Sequence, residues 1–175
     1  MIRLGILLAA IIFLLNGCNT PFNPPVLKEA PYESPVTPKA VIDNLRTAYM
    51  AKDLEGYLAC LDPDSYRFYF DESDTATRKI LEQQLGLDSL VWGITEERIS
   101  TEALFSSVQA IHLDLMGGIL LPDTVPNRRT YLYTYSLSID PPPPGVEAIE
   151  GRAKFVLKKR PDGLWYIIRW EDYAF

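Results

Sequence analysis

The sequence predicts an α+β fold, with helices first and an antiparallel meander after them. Apolar residues recur at helical spacing through most of residues 37–105, whereas period-two alternation governs the chain from Ser107 onward. Clusters rich in Pro and Gly punctuate the alternating runs. Helices that precede strands, rather than alternate with them, make an α+β plan. With 175 residues, 47% of them hydrophobic, the chain is long and apolar enough for one domain with a real core, which excludes disordered and fibrous classes. Its formal charge of −6, from 17 basic and 23 acidic residues, argues against nucleic acid as a partner, because an acidic surface repels phosphate backbones. The same balance predicts little attraction to anionic lipid.

Leu4 to Leu15 is an almost wholly apolar run preceded by Arg3. Twelve helical residues rise about 18 Å, well short of a hydrocarbon core of about 30 Å, so the run fits the h-region of an export signal and not a spanning helix. It ends in Leu15-Asn16-Gly17-Cys18, which resembles the bacterial lipobox. In that family the lipoprotein signal peptidase reads a leucine, two small residues and a cysteine whose thiol receives diacylglycerol. Leu15, Gly17 and Cys18 match, while Asn16 stands where a small residue is usual. The resemblance implies a signal peptide over 1–17 and a lipidated Cys18 as the new N-terminus. Loss of Arg3 would leave a charge of −7. Several acyl chains, at about 0.8 kcal/mol per buried CH₂, anchor a protein firmly. Asn19 is not the aspartate that resembles an inner-membrane retention signal, so the expected location is the outer membrane, facing the periplasm. Residues 18–36, with prolines at 21, 24, 25, 31 and 35, read as a tether. At about 3.1 Å per residue in polyproline II it reaches roughly 50 Å.

Regular structure is expected over 37–175. Thr37 suits an N-cap and Pro38 the first helical position, with Val41, Leu45, Ala48 and Tyr49 on one face. Asp53 suits a second N-cap, for a short helix carrying Leu54, Leu58 and Leu61 that Pro63 stops. Tyr66, Phe68 and Phe70 alternate with Arg67 and Tyr69 as a strand. Helix is expected again over about Asp74 to Leu85, stopped by Gly86, and between Ser89 and Phe105, with Leu90, Val91, Ile94 and Leu104 as core. Ile111, Leu113 and Leu115 then alternate with His112, Asp114 and Met116. Tyr131, Tyr133, Tyr135, Leu137 and Ile139 share a second strand face. The prolines at 141–144 make a loop, and Pro161-Asp162-Gly163 joins the last two strands.

This order resembles the nuclear transport factor 2-like (NTF2-like) superfamily, and within it a group of bacterial lipoproteins. "NLRTAYMAKDLEGYLACLDPDSYRFYF" and "LWYIIRWEDY" carry the resemblance, which covers about Pro35 to Tyr173. It implies a curved antiparallel sheet wrapped around the helices as a cone that can hold a pocket. It leaves the task open, since members include isomerases, dehydratases, cyclases, transport factors and binding modules.

Candidate chemistry is sparse. His112, the one histidine, and Asp114 share a strand face, and enzymes of the superfamily place acid/base residues inside the cone, so this pair is the catalytic candidate for proton transfer. The competing reading has both residues facing solvent or another subunit, because Ile111, Leu113 and Leu115 have the stronger claim on the core. The tyrosines at 131, 133 and 135 either donate phenolic protons or simply line an aromatic sheet face. Tyr49, Phe68, Trp92 and Trp165 are candidate pocket walls if the cone is open, and filling if it is not. Cys60, in a helical pattern beside Leu58 and Leu61, reads as a small buried hydrophobe. No metal and no cofactor are expected: the chain has one His and one unlipidated Cys, and no Walker A, dinucleotide-binding or G-x-S-x-G pattern. The run Lys158-Lys159-Arg160 reads as a solvated strand end.

Three functions follow as expectations. The first is a lipid-anchored protein presenting a non-catalytic domain that binds a small ligand or an envelope protein. The second is an isomerase-, dehydratase- or cyclase-type enzyme using His112 and Asp114. The third is a structural subunit that pairs through its sheet face with a partner or, as a homodimer, with itself.

Overall fold

A computed structural model describes residues 32–71, 73, 91–142 and 148–174. The first helix, α1 (Pro38–Ala51), starts as its cap predicts: the Thr37 hydroxyl accepts the Ala40 N–H at 3.1 Å. It ends on Lys52, whose left-handed backbone (φ 55°) turns its N–H onto the carbonyls of Ala48 and Tyr49. Asp53 caps α2 (Leu54–Leu58) by accepting the Gly56 N–H at 3.0 Å. Strand β1 (Arg67–Tyr69) buries Phe68, with Tyr66 and Phe70 buried on either side. The helix expected over Asp74–Leu85 and its stop at Gly86 lie outside the described residues, as do Cys18, residues 1–31 and Pro143 and Pro144 of the proline run.

The helix expected from Ser89 begins later. Val91 and Trp92 are extended as β2 (Val91–Trp92) and pair antiparallel with Tyr69 and Phe68, and α3 (Ile94–Ser107) follows. Gly93 sets this boundary: its N–H donates to the Glu96 carboxylate at 2.9 Å, closing the first turn of α3. Val91 is therefore a half-buried strand residue and not part of the helical core.

Four long strands complete the chain: β3 (Ala110–Leu121), β4 (Arg128–Asp140), β5 (Ile149–Lys159) and β6 (Trp165–Ala174). The sheet order is β2-β1-β6-β5-β4-β3. The sheet is curved and mixed, not wholly antiparallel, because β1 lies parallel to β6. The path from α2 imposes this. Ile167 donates to the Cys60 carbonyl and accepts the Asp62 N–H, each at 2.9 Å, so the chain enters β1 already running alongside β6. The Asp62 carboxylate accepts the Asp64 and Ser65 N–H groups and holds the turn between them.

The core lies between α1 and the concave sheet face, where Leu45, Leu137, Ala153, Phe155 and Ile167 are almost fully buried. Edge strand β3 is sealed by Arg46 of α1, which donates from Nε to the Leu113 carbonyl at 2.7 Å. Two glycines bend the outer half of β3. Gly117 (φ 91°) and Gly118 (φ 53°) form a bulge between Met116 and Ile119, and the strand resumes with Ile119 opposite Leu132. The chain ahead of α1 is also docked: Glu33 and Asn44 exchange two hydrogen bonds (2.9 and 2.6 Å), and the Trp165 N–H donates to the Pro35 carbonyl at 2.8 Å.

Candidate functional site

The interior of the cone is the first place to look for chemistry. Residues alternating inward along β4 (Tyr135, Leu137) and β5 (Ala153, Phe155) meet Leu45 and Tyr49 of α1 and Trp170 of β6. What remains between them is a cavity of about 20 Å³, room for about one water. Tyr135 shares a hydrogen bond with Asp172, and burial first, then that carboxylate, pushes its hydroxyl well above the ordinary tyrosine range. Gly151 makes the approach feasible. A Cβ there would lie 2.6 Å from the Tyr135 hydroxyl and 2.7 Å from the Tyr173 carbonyl. A phenol so hard to ionise is a packing group and a hydrogen-bond donor, not a base.

A second polar centre sits outside that cavity. Glu97 of α3 is 5% exposed and takes four donors. Tyr57 (2.5 Å) and Thr101 (3.3 Å) donate to Oε1, and Tyr66 (3.1 Å) and the Trp92 indole (3.0 Å) to Oε2. Burial raises its proton affinity above that of an ordinary glutamate, and the four hydrogen bonds oppose that rise. Every lone-pair direction is taken and no path to solvent is needed, so the cluster is a junction between α2, the turn before β1, β2 and α3. Sequence reading passed over Glu97. Its signal was available, as an acid one helical turn before Thr101 within an otherwise apolar helix face.

His112 and Asp114 lie together on the exposed side of β3, while Ile111 and Leu113 take the core side and are buried. Neither borders the interior cavity. Asp114 instead pairs with Arg46 at 3.1 Å. The alternation of β3 thus turns the proposed acid/base pair away from the cone. Tyr49 borders the cavity, but Phe68 and Trp92 belong to an aromatic cluster with Phe70 and Trp170, at ring separations of 4.6–5.5 Å. Trp165 is buried at the start of β6 under the Arg129 guanidinium, 5.9 Å from the ring centre. The four wall candidates are all buried, and of them only Tyr49 lines the 20 Å³ cavity formed by described residues. Tyr131 and Tyr133 are half-buried on the same sheet face as Tyr135. Cys60 is buried, and burial pushes its thiol up to about 12, so it is inert at neutral pH. A larger hollow of about 490 Å³ is an open surface groove at the start of α3. Its charged lining groups are Arg67 and Glu96, and Glu96 is engaged as the helix cap.

No protein-family model matches the chain, and no curated protein does. Solved structures do. An NTF2-like protein of unknown function from Pseudomonas putida superposes with a TM-score of 0.58 at 12% identity, covering 78% of this chain and 83% of that one. A candidate ketosteroid isomerase from Parabacteroides distasonis gives 0.51 at 13% identity, covering 79% and 87%. Bd1075 of Bdellovibrio bacteriovorus gives 0.56 at 14% identity over 78% of this chain, which spans only 39% of that protein. At such identities the likeness establishes the architecture alone: the chain has the NTF2-like fold, an α+β cone of helices on a curved sheet.

Proposed function

We propose that the chain is a lipid-anchored protein of the bacterial envelope whose NTF2-like domain is a non-catalytic binding or interaction module facing the periplasm from the outer membrane. The observation that carries the non-catalytic half is the filled cone. A ligand pocket of this kind needs roughly 300 Å³ or more, and the interior cavity that the described residues line holds about 20 Å³. His112 and Asp114, the pair that proton transfer would require, sit on the other side of β3. The anchoring half rests on Leu15-Asn16-Gly17-Cys18. A filled interior favours recognition by the outer surface, and hence an envelope partner over a small ligand held in the cone.

Two measurements test the two halves. Cells fed labelled palmitate should incorporate it into the wild-type chain, and Cys18→Ser should abolish the label and release the protein from the outer-membrane fraction. Unlabelled wild-type protein that stays there regardless would sink the anchor. An apolar fluorophore of ligand size should show no saturable uptake by the purified protein. Saturable uptake blocked by Ala153→Leu, which fills the cone, would instead mean that the interior opens.

A further inference from the structure

We infer that the outer face of the sheet across β1, β6 and β5 is a docking surface for an acidic polypeptide segment of an envelope partner. That the partner belongs to the envelope rests on the reading above, whereas the chemistry of the surface stands on the fold. Alternation fixes which side chains lie there. Phe68 of β1, Ala153, Phe155 and Leu157 of β5, and Ile167 and Trp170 of β6 are buried on the helix side. Their neighbours along each strand therefore take the outer face, and Arg67, Arg152, Lys158 and Arg169 are exposed there. The strap ahead of α1 runs along the helices instead, where Tyr32 bonds to Asp53 and Glu33 to Asn44.

Charge on this face runs against the average of the chain. The outward positions of β1, β5 and β6 carry five cations (Arg67, Arg152, Lys154, Lys158 and Arg169) and two carboxylates (Glu150 and Glu171), in a protein whose formal charge is −6. Register sets four of the cations in a diagonal stripe: Arg67 pairs with Arg169, Lys154 with Glu171 and Arg152 with Tyr173. With strands about 4.8 Å apart and about 3.3 Å per residue along each, the stripe runs about 16 Å, the span of about five extended residues. Glu171 organises its centre. This residue is 7% exposed, and its carboxylate holds the Lys154 ammonium at 3.2 Å, the Arg169 guanidinium at 2.6 Å and the Tyr173 hydroxyl. The Arg169 guanidinium also lies 4.0 Å over the Tyr69 ring. One carboxylate between two cations leaves an excess of positive charge. The stacked and bonded guanidinium presents that charge with little side-chain freedom left to lose on binding.

Apolar side chains continue the same face across β4 and β3. Ile119 pairs with Leu132 and Leu132 with Lys154, so one row of the sheet reads Ile119, Leu132, Lys154, Glu171, Tyr69. Ile119 is 58% exposed, and Met116, opposite Thr134 on the same strand pair, is 50% exposed. Arginine and tyrosine beside exposed non-polar side chains are the composition of a protein–protein interface, and carboxylates complement the stripe. A bare polyphosphate or a glycan acid would answer the cations and leave Ile119 and Met116 in water. A second copy meeting this face with its own would set five cations against five. An acidic segment that also carries aliphatic side chains satisfies both halves of the face.

The test uses the wild-type protein in nonionic detergent and a fluorescent peptide with glutamates in one half and leucines in the other. Anisotropy should show saturable binding that weakens as salt rises, and a peptide with lysines in place of the glutamates should not bind. Arg152→Gln with Lys154→Gln should weaken binding about tenfold. Met116→Ser with Ile119→Ser should weaken it as well, with unchanged circular dichroism in each variant. Arg152→Glu with Lys154→Glu should exchange the preference, taking the lysine peptide and refusing the glutamate one, a gain that misfolding does not produce. Four outcomes would each overturn the proposal: no binding of the glutamate peptide, equal binding by the glutamine variant, tighter binding of inorganic polyphosphate that ignores the Met116 and Ile119 changes, or a dimer that those changes dissolve. Peptide binding by a chain that takes up no palmitate in cells would sink the anchor and leave this surface standing. Palmitate uptake without peptide binding would do the reverse.

Discussion

Glu97 shows how a single buried carboxylate can matter without doing chemistry. Its donors come from three separate stretches of chain besides its own helix, so its loss removes the buried acceptor that Tyr57, Tyr66 and Trp92 share. Glu97→Ala should cost about 3 kcal/mol in urea unfolding. Glu97→Gln should cost less, about 1–2 kcal/mol, because the amide oxygen still accepts while its NH₂ confronts donors. The pH dependence has a definite sign. The folded carboxyl binds its proton more tightly than the unfolded one, since burial raises it. Stability from this group is therefore present at and below the ordinary glutamate range, near pH 4.3, and is lost as pH rises through the folded value. Relative to Glu97→Gln, the wild type should lose stability as pH climbs from that range toward neutrality. Asp123 has the opposite sign. The Arg128 hydrogen bonds hold its carboxyl below the usual range, so its contribution is lost as pH falls. A wild-type curve that ran parallel to that of Glu97→Gln from pH 4 to 7 would refute the Glu97 account.

At the scale of elements, glycines decide where strands bend and where side chains pass. Gly151 sits opposite Tyr135 on the neighbouring strand, and any side chain would press on the Tyr135 hydroxyl and on the backbone of Tyr173. Gly151→Ala should destabilise by about 2 kcal/mol, whereas Gly117→Ala, which meets no atom, should cost about 1 kcal/mol through its positive φ alone. Thermal unfolding of both variants would separate crowding from backbone strain. The first two helices and the long strands were readable because their signals are local: Thr37 with Pro38, Asp53, the alternation in 131–139 and the turn at 161–163 all act within a few residues. What could not be read depends on distant chain. Val91 and Trp92 are a strand only because Phe68 and Tyr69 pair with them, and β1 runs parallel to β6 only because Cys60 and Asp62 bond to Ile167. The same holds for the candidate site. The facing of His112 and the filling of the cone were each legible as one of two options, but which residues of α1, β4, β5 and β6 line the small cavity was not.

At the scale of the molecule, the described interior is packed side chains around a cavity of about 20 Å³. Phe155 is fully buried between Tyr133 and Trp170. Phe155→Ala should cost about 4 kcal/mol in denaturant unfolding. A loss below about 1 kcal/mol would mean that this part of the interior is loosely packed. The Pro35–Trp165 bond and the Glu33–Asn44 pair have a mechanical meaning as well. A pull on the N-terminus reaches the fold first through residues 32–36, a strap held to it by four hydrogen bonds once the Tyr32 hydroxyl's bond to Asp53 is included, and only afterwards through α1. Under tension the strap should peel before the apolar core opens, uncovering the buried Asn44 amide and releasing about 17 Å of extra leash. It then re-seats when the load falls, so the junction behaves as a shock absorber in series with the domain.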